Sequence, residues 1–278
     1  MTFKRKLPPG WYPATASLCQ KEIEGMLLGF KPSLGFHTAG LVPHAGWYFS
    51  GKIAAEVFST LHQNLPKPDA LCLIGGHLGS EHPVLYLEQD SCETPLGNLS
   101  LNQELIREVA DRITYKVADP NEGDNTLEIQ FPLAKYFFPD TPLLAFRAPV
   151  SELALELGQS LAETAKKHKI SILVIASADL THYGPNYGFS PQKTLEDGLA
   201  WVKNTNDKTL IDLALQFKES ELLEHSLENR SSCSAGALAA AVSYARSMGI
   251  LEGKLLEYST SYDILPNQSF VGYAGLVF

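Results

Sequence analysis

The sequence has no closely spaced cysteines, and this absence excludes two kinds of small domain. The four cysteines, Cys19, Cys72, Cys92 and Cys233, form no Cys-X-X-Cys pair. Disulfide frameworks and zinc fingers are recognised by short, regular cysteine spacing. Neither kind of structure is therefore expected.

Positive charge and long apolar runs are also scarce. Lysine and arginine total 22 against 31 aspartate and glutamate residues, a formal net charge of −9. The basic run Lys4-Arg5-Lys6 is too short for extensive phosphate contacts. No apolar run approaches the ~18 residues of a membrane span, and the first residues lack the apolar segment of a signal peptide. We therefore expect no nucleic-acid partner, no membrane insertion and a cytoplasmic location.

The composition supplies material for a large core. Of the 278 residues, 45% are hydrophobic and 19% are charged, which is typical of a globular domain. The length suits one large α/β domain, and no internal repeat or interdomain linker is evident. We predict a single domain over residues 1–278, in which residues 1–12 form an extended N-terminal arm laid over the body.

Short apolar runs alternate with amphipathic stretches along most of the chain. The predicted strands are 39–42, 70–74, 84–87, 142–147, 170–176, 254–258 and 269–278. The predicted helices are 53–58, 102–113, 127–138, 152–168 and 234–247, and more than one helix is predicted within about 191–227. Strands 70–74 and 170–176 are apolar throughout, which is typical of strands buried on both faces. This alternation predicts a three-layer αβα sandwich with a mixed, largely parallel central sheet.

Three histidines, His44, His77 and His182, each follow a predicted strand. In open α/β sheets the ligand crevice lies beyond the carboxyl ends of the strands, so side chains placed there can converge. One such histidine alone is as well explained by a loop or core position, but three together indicate a common pocket. His82 lies five residues after His77 and is the alternative to it.

Cys233 directly precedes a predicted alanine-rich helix. A helix N-terminus favours the thiolate, which is both a metal ligand and a nucleophile, although a buried cysteine can also be plain core. Two imidazoles and a thiolate suit a divalent ion, with Fe(II) or Cu expected first and Zn as a third option. His182 beside the ion could act as a general base or acid, and Asp179 could fix its tautomer or complete the site.

Five segments together resemble the Memo family, whose bacterial and archaeal members are named AmmeMemoRadiSam system protein B. They are 43–51 (PHAGWYFSG), 74–77 (IGGH), 124–132 (DNTLEIQFP), 177–184 (SADLTHYG) and 232–233 (SC). The resemblance implies a fold like that of the class III extradiol, non-haem iron dioxygenases. It places the metal ligands on His44, His77 and Cys233, with Asp179 and His182 beside them.

The resemblance also implies a pocket wall and partners. Tyr48, Asn125 and Glu128 are expected to line the pocket, although the spacing of Asn125 and Glu128 alone favours ordinary helix capping. Family members are connected with iron or copper redox chemistry and, in animals, with receptor phosphopeptides. AMMECR-type and radical SAM proteins are the implied protein partners, and a small molecule or peptide is the implied ligand.

This chain departs from the family pattern at three points. Asn125 stands where the family usually has histidine, Gly76 alone replaces a Pro-Ser pair, and Ser234 replaces a glycine. The first change removes one ionisable group from the expected pocket wall. The expected metal ligands are unchanged.

Three functions remain open from the sequence. The first is a metal-dependent, dioxygenase-like oxidoreductase acting on a small substrate. The second is a metal-free cysteine hydrolase with Cys233 as nucleophile, His182 as base, and an oxyanion hole from the amides of residues 234–236. The third is a non-catalytic protein that uses the pocket to bind a peptide or metabolite.

Overall fold

The computed structural model describes residues 1–119 and 122–278, which contain twelve strands and eleven α-helices. The strands are β1 (Thr2–Phe3), β2 (Ala39–Val42), β3 (Ala70–Leu78), β4 (Val84–Tyr86), β5 (Ser91–Cys92), β6 (Leu99–Ser100), β7 (Tyr115–Val117), β8 (Leu143–Pro149), β9 (Ile172–Ser177), β10 (His182–Tyr183), β11 (Lys254–Thr260) and β12 (Phe270–Val277). The helices are α1 (Ala16–Met26), α2 (Trp47–Asn64), α3 (Gln103–Ala110), α4 (Asn125–Glu128), α5 (Phe131–Phe137), α6 (Glu152–His168), α7 (Leu195–Trp201), α8 (Asp207–Leu215), α9 (Glu219–Asn229), α10 (Ala235–Ser247) and α11 (Ser261–Ile264). A 3₁₀ turn spans Pro185–Tyr187, and a π-helical turn spans Val202–Asn206.

One large sheet organises the molecule. Its strand order is β10-β12-β2-β9-β3-β8-β4-β7, with β11 also paired to β12. The central pairs β2–β9, β9–β3 and β3–β8 are parallel, whereas β12 pairs antiparallel with its neighbours and β4 with β8. The predicted mixed, largely parallel sheet is confirmed. A small second sheet joins the arm to the body, because β1 pairs with β5 and β5 with β6.

Helices cover both faces of the large sheet. On one face α10 packs across β2, β9, β3 and β8, and α6 packs beside α10. On the other face α2 packs against β2 and β12, and α5 and α1 pack against α2. Strand β9 is buried at every residue, which explains its continuous apolar sequence. The three-layer αβα architecture is therefore confirmed.

One predicted helix is broken in the structure. The stretch predicted as one helix over 127–138 forms α4 and α5, and Pro132 lies in the first turn of α5, where a missing N–H is tolerated. The stretch 191–227, where several helices were predicted, contains α7, the π-helical turn, α8 and most of α9. Helix α1 was not expected. Among the described residues, no helix has both the length and the apolarity that crossing a membrane requires.

The order β2-β9-β3 determines where the candidate site can form. These three neighbouring strands are parallel, so their carboxyl ends lie side by side. His44 follows β2 by two residues, Asp179 follows β9 by two residues, and His77 is the penultimate residue of β3. The sheet topology therefore brings together segments that are far apart in the sequence.

Candidate metal centre

Three potential metal ligands converge at this edge of the sheet. His44, His77 and Cys233 each offer one donor atom, and these atoms lie within 4.8 Å of one another. Nε2 of His44 lies 3.2 Å from Nε2 of His77 and 3.1 Å from Sγ of Cys233. Donors bound tetrahedrally to one ion of the zinc type would be about 3.3–3.6 Å apart, given ligand bonds of ~2.0–2.3 Å. The donor set therefore suits a single metal ion in its chemistry, and the two distances from His44 Nε2 are close to the spacing that such an ion requires.

Hydrogen bonds to its backbone and to its ring position His44. Its backbone N–H donates to Asp179 Oδ1 at 2.7 Å, and its carbonyl accepts from Asn125 Nδ2 at 3.2 Å. On the ring, Nδ1 lies 3.4 Å from Ser177 Oγ, so Nε2 is left to face His77 and Cys233. The side chain is only 2% exposed. Both the ring position and the free nitrogen are thus determined by neighbouring strands.

A pair of glycines allows the chain to turn into His77. Any side chain at Gly75 would collide with Thr126 Oγ1, and the Gly76 N–H donates to the same oxygen at 2.8 Å. Gly76 has a φ of +108°, and a Cβ there would lie 2.7 Å from Arg147 Cβ. Only glycine suits such a position. The pair lets α4 pack against β3, which in turn brings Asn125 to the His44 carbonyl.

Cys233 is positioned by the backbone of Asp179. The carbonyl of Asp179 accepts from the Cys233 N–H at 3.2 Å and from Ser232 Oγ at 2.8 Å. At the start of α10, any side chain on Gly236 would collide with the Pro149 carbonyl, so the helix packs directly on β8. Asp179 therefore contacts both the His44 segment, through its carboxylate, and the Cys233 segment, through its carbonyl.

His182 lies beside the three donors rather than among them. Its Nδ1 lies 3.1 Å from the Leu180 carbonyl, which can only accept, so Nδ1 carries the proton and Nε2 has a free lone pair. The ring packs edge-on against Tyr187, with centroids 4.8 Å apart. This is the arrangement of a base or acid that borders a site.

Burial favours the neutral forms of these groups. It lowers the pKa of His44 to about 4, against the opposing attraction of Asp124, and it lowers the pKa of His77 and of His182. It also raises the pKa of Asp179 to about 6 and raises that of the Cys233 thiol. The thiolate expected at the helix N-terminus is therefore disfavoured in the metal-free protein. At neutral pH the imidazoles have lone pairs ready for a metal, whereas the thiol must lose a proton.

The two histidine donors, His44 and His77, line a cavity of about 360 Å³. Its wall is a mixture of aromatic, aliphatic, amide and hydroxyl side chains beside the ionisable groups. They are Trp11, Phe49, Asn125, Asn186, Tyr187, Ser261, Leu265, Asn267, Ser269, Val271 and Tyr273, together with His44, His77, Asp179 and His182. Among the described residues that line this cavity, none is a lysine or an arginine.

Tyr48 lies away from this wall. Its side chain is 67% exposed and packs edge-on against Phe49, with ring centroids 4.9 Å apart. Successive residues of a helix point in directions about 100° apart, so Phe49 faces the cavity while Tyr48 faces solvent. The segment that contributes to the cavity wall was identified from the sequence, but the residue that lines the wall is Phe49 and not the predicted Tyr48.

Glu128 also lies away from the wall, and it holds the N-terminal arm. Its carboxylate is buried and accepts from the N–H groups of Lys6 and Leu7 at 2.9 Å and from the Tyr12 hydroxyl at 3.0 Å. Between these contacts the arm carries Trp11 to the cavity. Asn125, at the other end of α4, is the residue of this segment that lines the cavity.

Sequence reasoning missed most of the cavity wall. Phe49 lies in the segment 43–51 that the resemblance covers, so proximity was the available signal for it. Trp11 ends the predicted arm, but nothing in the sequence indicates where that arm lies. Tyr187 and Asn267 come from loops with no distinctive pattern.

Comparisons with known proteins agree with this architecture. A sequence model of the family described as "Memo-like protein" matches residues 8–277. A MEMO1 family protein of Thermococcus onnurineus (strain NA1) is 30% identical over 292 residues, covering 96% of each chain. One from Thermococcus kodakarensis is 29% identical, covering 96% of this chain and 98% of the relative.

A solved structure shares the fold at low sequence identity. The crystal structure of an uncharacterized protein from Escherichia coli K12 matches with a TM-score of 0.50 and 14% identity. The match covers 86% of this chain and 98% of the other. At that identity the likeness concerns the fold alone.

Proposed function

Because the chain belongs to the Memo-like protein family, we propose that its pocket is a metal centre that serves a dioxygenase-like oxidoreductase. The observation that carries this proposal is the convergence of donor atoms from His44, His77 and Cys233 within 4.8 Å, with the two histidines lining the cavity. Iron(II) or copper is the proposed ion, with zinc as the third candidate. The proposed substrate is a small organic molecule.

The donor set supports a redox-active ion with open positions. Two neutral imidazoles and one thiolate provide three protein ligands, which is typical of catalytic rather than closed structural sites. The cavity borders the two imidazole donors, so a substrate that enters it can approach the ion from their side. A bound iron or copper ion would supply electron transfer and Lewis acidity at this position.

His182 provides the acid–base function in this proposal. Its Nδ1–H is held by the Leu180 carbonyl, and its lowered pKa keeps Nε2 unprotonated at neutral pH. Nε2 accepts a proton from a substrate hydroxyl and returns it later in the cycle. Asp179 acts by holding the His44 and Cys233 segments in place.

The cavity wall supplies binding and orientation. Trp11, Tyr187 and Tyr273 offer aromatic surface, and Asn125 and Asn267 offer amide hydrogen bonds. A cavity of about 360 Å³ is at the small end of the range of ligand pockets, which suits a small molecule or the tip of a peptide.

Two facts weigh against the cysteine hydrolase. The imidazole within hydrogen-bond distance of the Cys233 sulfur is that of His44, at 3.1 Å, whereas the hydrolase requires His182 at this place. Burial also raises the thiol pKa, which suppresses the nucleophilic thiolate in metal-free protein. Rapid alkylation of Cys233 after metal removal, slowed by His182→Gln, would revive this alternative.

Metal analysis of protein purified without oxygen tests the proposal. We expect close to one iron or copper per chain, and at least a tenfold loss in His44→Ala and in His77→Ala. His82→Ala is the matched control, because His82 is half exposed and pairs with Glu81 at 3.0 Å. Unchanged metal content in the first two variants would end the proposal. A thermal shift caused by a small molecule that persists in Cys233→Ala would favour the non-catalytic binding protein.

A further inference from the structure

The end of the π-helical turn Val202–Asn206 and the start of α8 place two buried polar side chains against the loop that holds Asp179 and His182. Asn206 is the last residue of the turn and Asp207 follows it directly at the start of α8. Their exposures are 1% and 0%. Wide turns of this kind inside helices are frequent at functional sites, because they redirect side chains that a regular helix would point elsewhere.

Both side chains contact Thr181, the residue before His182. Asp207 Oδ1 accepts from the Thr181 N–H at 3.1 Å and also from its hydroxyl. Asn206 Nδ2 donates to Thr181 Oγ1 at 2.9 Å. The second oxygen of Asp207 accepts from the Tyr258 hydroxyl at 2.8 Å. Thr181 is therefore fixed through both its backbone and its side chain.

The opposite side of the loop is fixed by β12. The Leu180 N–H donates to the Gly272 carbonyl at 2.8 Å, and the Gly272 N–H donates to the Thr181 carbonyl at 3.0 Å. Any side chain at Gly272 would collide with the Asp207 carboxylate. The loop is thus enclosed between β12 and Asp207.

The contacts of this loop affect His182 through the Leu180 carbonyl. The Leu180 oxygen that fixes the His182 tautomer belongs to the peptide bond that also contains the Thr181 N–H, which donates to Asp207. Moving that peptide would move the oxygen away from His182 Nδ1. The orientation of the imidazole therefore depends on the contact between Thr181 and Asp207.

Burial of the Asp207 carboxylate lowers the stability of the folded protein, so stability does not explain why a carboxylate is present there. Its hydrogen-bond donors are the Thr181 N–H and the hydroxyls of Thr181 and Tyr258, all of them neutral. Burying a carboxylate among neutral groups carries a desolvation penalty that an apolar side chain would avoid. A role in positioning accounts for a carboxylate at this place.

We infer that Asp207 is a positioning residue for His182, acting through Thr181 and the Leu180 carbonyl. The inference rests on the acid–base role proposed for His182. It predicts that the hydrogen-bonding shape of the Asp207 side chain matters more than its charge. Asparagine can accept from Thr181 and donate to the Tyr258 oxygen, whereas alanine can do neither.

The other end of β9 offers a matched control. Asp69 Oδ2 accepts from the N–H and the hydroxyl of Ser171, at 2.7 and 2.8 Å. Ser171 immediately precedes β9, whereas Thr181 follows it. Asp69→Ala therefore removes the same type of contact from the same strand, at the end away from the cavity.

The test reads the His182 tautomer by long-range ¹H–¹⁵N correlation in zinc-loaded and metal-free protein, with the signals assigned through His182→Gln. Wild type, Asp207→Asn and Asp69→Ala should show a single form protonated at Nδ1. Asp207→Ala should lose this pattern and show both tautomers in exchange. Should Asp207→Ala not fold, Thr181→Val and Thr181→Ser replace it, with a partial loss expected in the first and none in the second.

Two results would overturn the inference. One is a single tautomer in Asp207→Ala or, where that variant does not fold, in Thr181→Val, because the contact would then be irrelevant to His182. The other is equal loss in Asp207→Ala and Asp69→Ala, which would indicate general loosening. Failure of wild-type protein to bind zinc, iron or copper would instead refute the metal centre, while the tautomer of metal-free protein would still report on Asp207.

Discussion

Strand β9 is held at both ends by an aspartate, and the surroundings of the two aspartates differ. At the amino end, Asp69 is exposed, and its hydrogen bonds from Ser171 lower the pKa of its carboxyl. Beyond the carboxyl end, Asp207 receives the same kind of hydrogen bonds from Thr181, but burial raises its pKa to about 6. One hydrogen-bond pattern thus stabilises a charge at the surface and orients a loop in the interior. Burial determines the sign of the pKa shift.

Substitutions at the amino and carboxyl ends of β9 should differ most in their effect on metal affinity. Cys233→Ala removes one of three donors at the carboxyl end, so metal affinity should fall on the order of 100-fold or more, since even residues that only support ligands are worth 10–100-fold. Asp69→Ala should leave the affinity unchanged. Competition with a chromophoric chelator measures both. Equal losses in the two variants would contradict a localised site.

The pH dependence of metal affinity should sharpen the contrast. Burial lowers the pKa of His44 and His77 and raises that of Cys233, so binding at neutral pH should release about one proton, from the thiol. Affinity should therefore rise about tenfold per pH unit between roughly pH 6 and 8. Calorimetry in two buffers of different ionisation enthalpy counts the proton. Cys233→Ala should abolish the slope, whereas Asp69→Ala should preserve it.

The two aspartates should affect folding stability with opposite signs. The folded-state pKa of Asp207 is raised from 3.8 to about 6, so metal-free protein should lose stability from this group as pH rises from about 4 to 6. Asp207→Asn should remove that loss, which amounts to about 3 kcal/mol at most. The pKa of Asp69 is lowered, so Asp69→Asn should reduce stability near neutrality and have less effect as the pH falls.

Urea unfolding at several pH values measures this difference. The comparison is made between each variant and wild type at the same pH, which cancels the titration of other groups such as Asp179. A parallel response of the two variants would show that their environments do not differ as the structure indicates.

The smallest effect is expected for Tyr48, which lies just outside the cavity wall. Tyr48 lies in the segment after His44 but faces solvent, so Tyr48→Ala should change metal affinity less than about twofold, as surface substitutions usually do. Phe49→Ala should leave metal affinity similar but alter the binding of molecules that enter the cavity. A large loss of metal in Tyr48→Ala would mean that the cavity wall extends further than described.

Local pattern was sufficient to predict most of the fold. Helix α6 has the predicted bounds, and β9 was recognisable because it is apolar throughout. The donors were recognisable because His44 and His77 follow or end buried strands, and Cys233 precedes a helix. These features depend on residues that are adjacent in the sequence.

The remaining features depend on contacts between distant segments. The role of Glu128 is determined by an arm more than one hundred residues earlier, and that of Asp207 by Thr181 and Gly272. The π-helical turn has no signal in hydrophobic periodicity. Sequence reasoning thus identified the potential metal donors and missed the residues that hold them in place.

The double attachment of Asp179 has a consequence for how the site is assembled. Its carboxylate holds the segment of one imidazole donor and its carbonyl holds the segment of the sulfur donor, so both are arranged before any ion arrives. Little of the free energy of ion capture then goes into reorganising the chain. Loading should be a simple bimolecular event with nearly the same backbone before and after, and its stabilising effect should follow mass action alone.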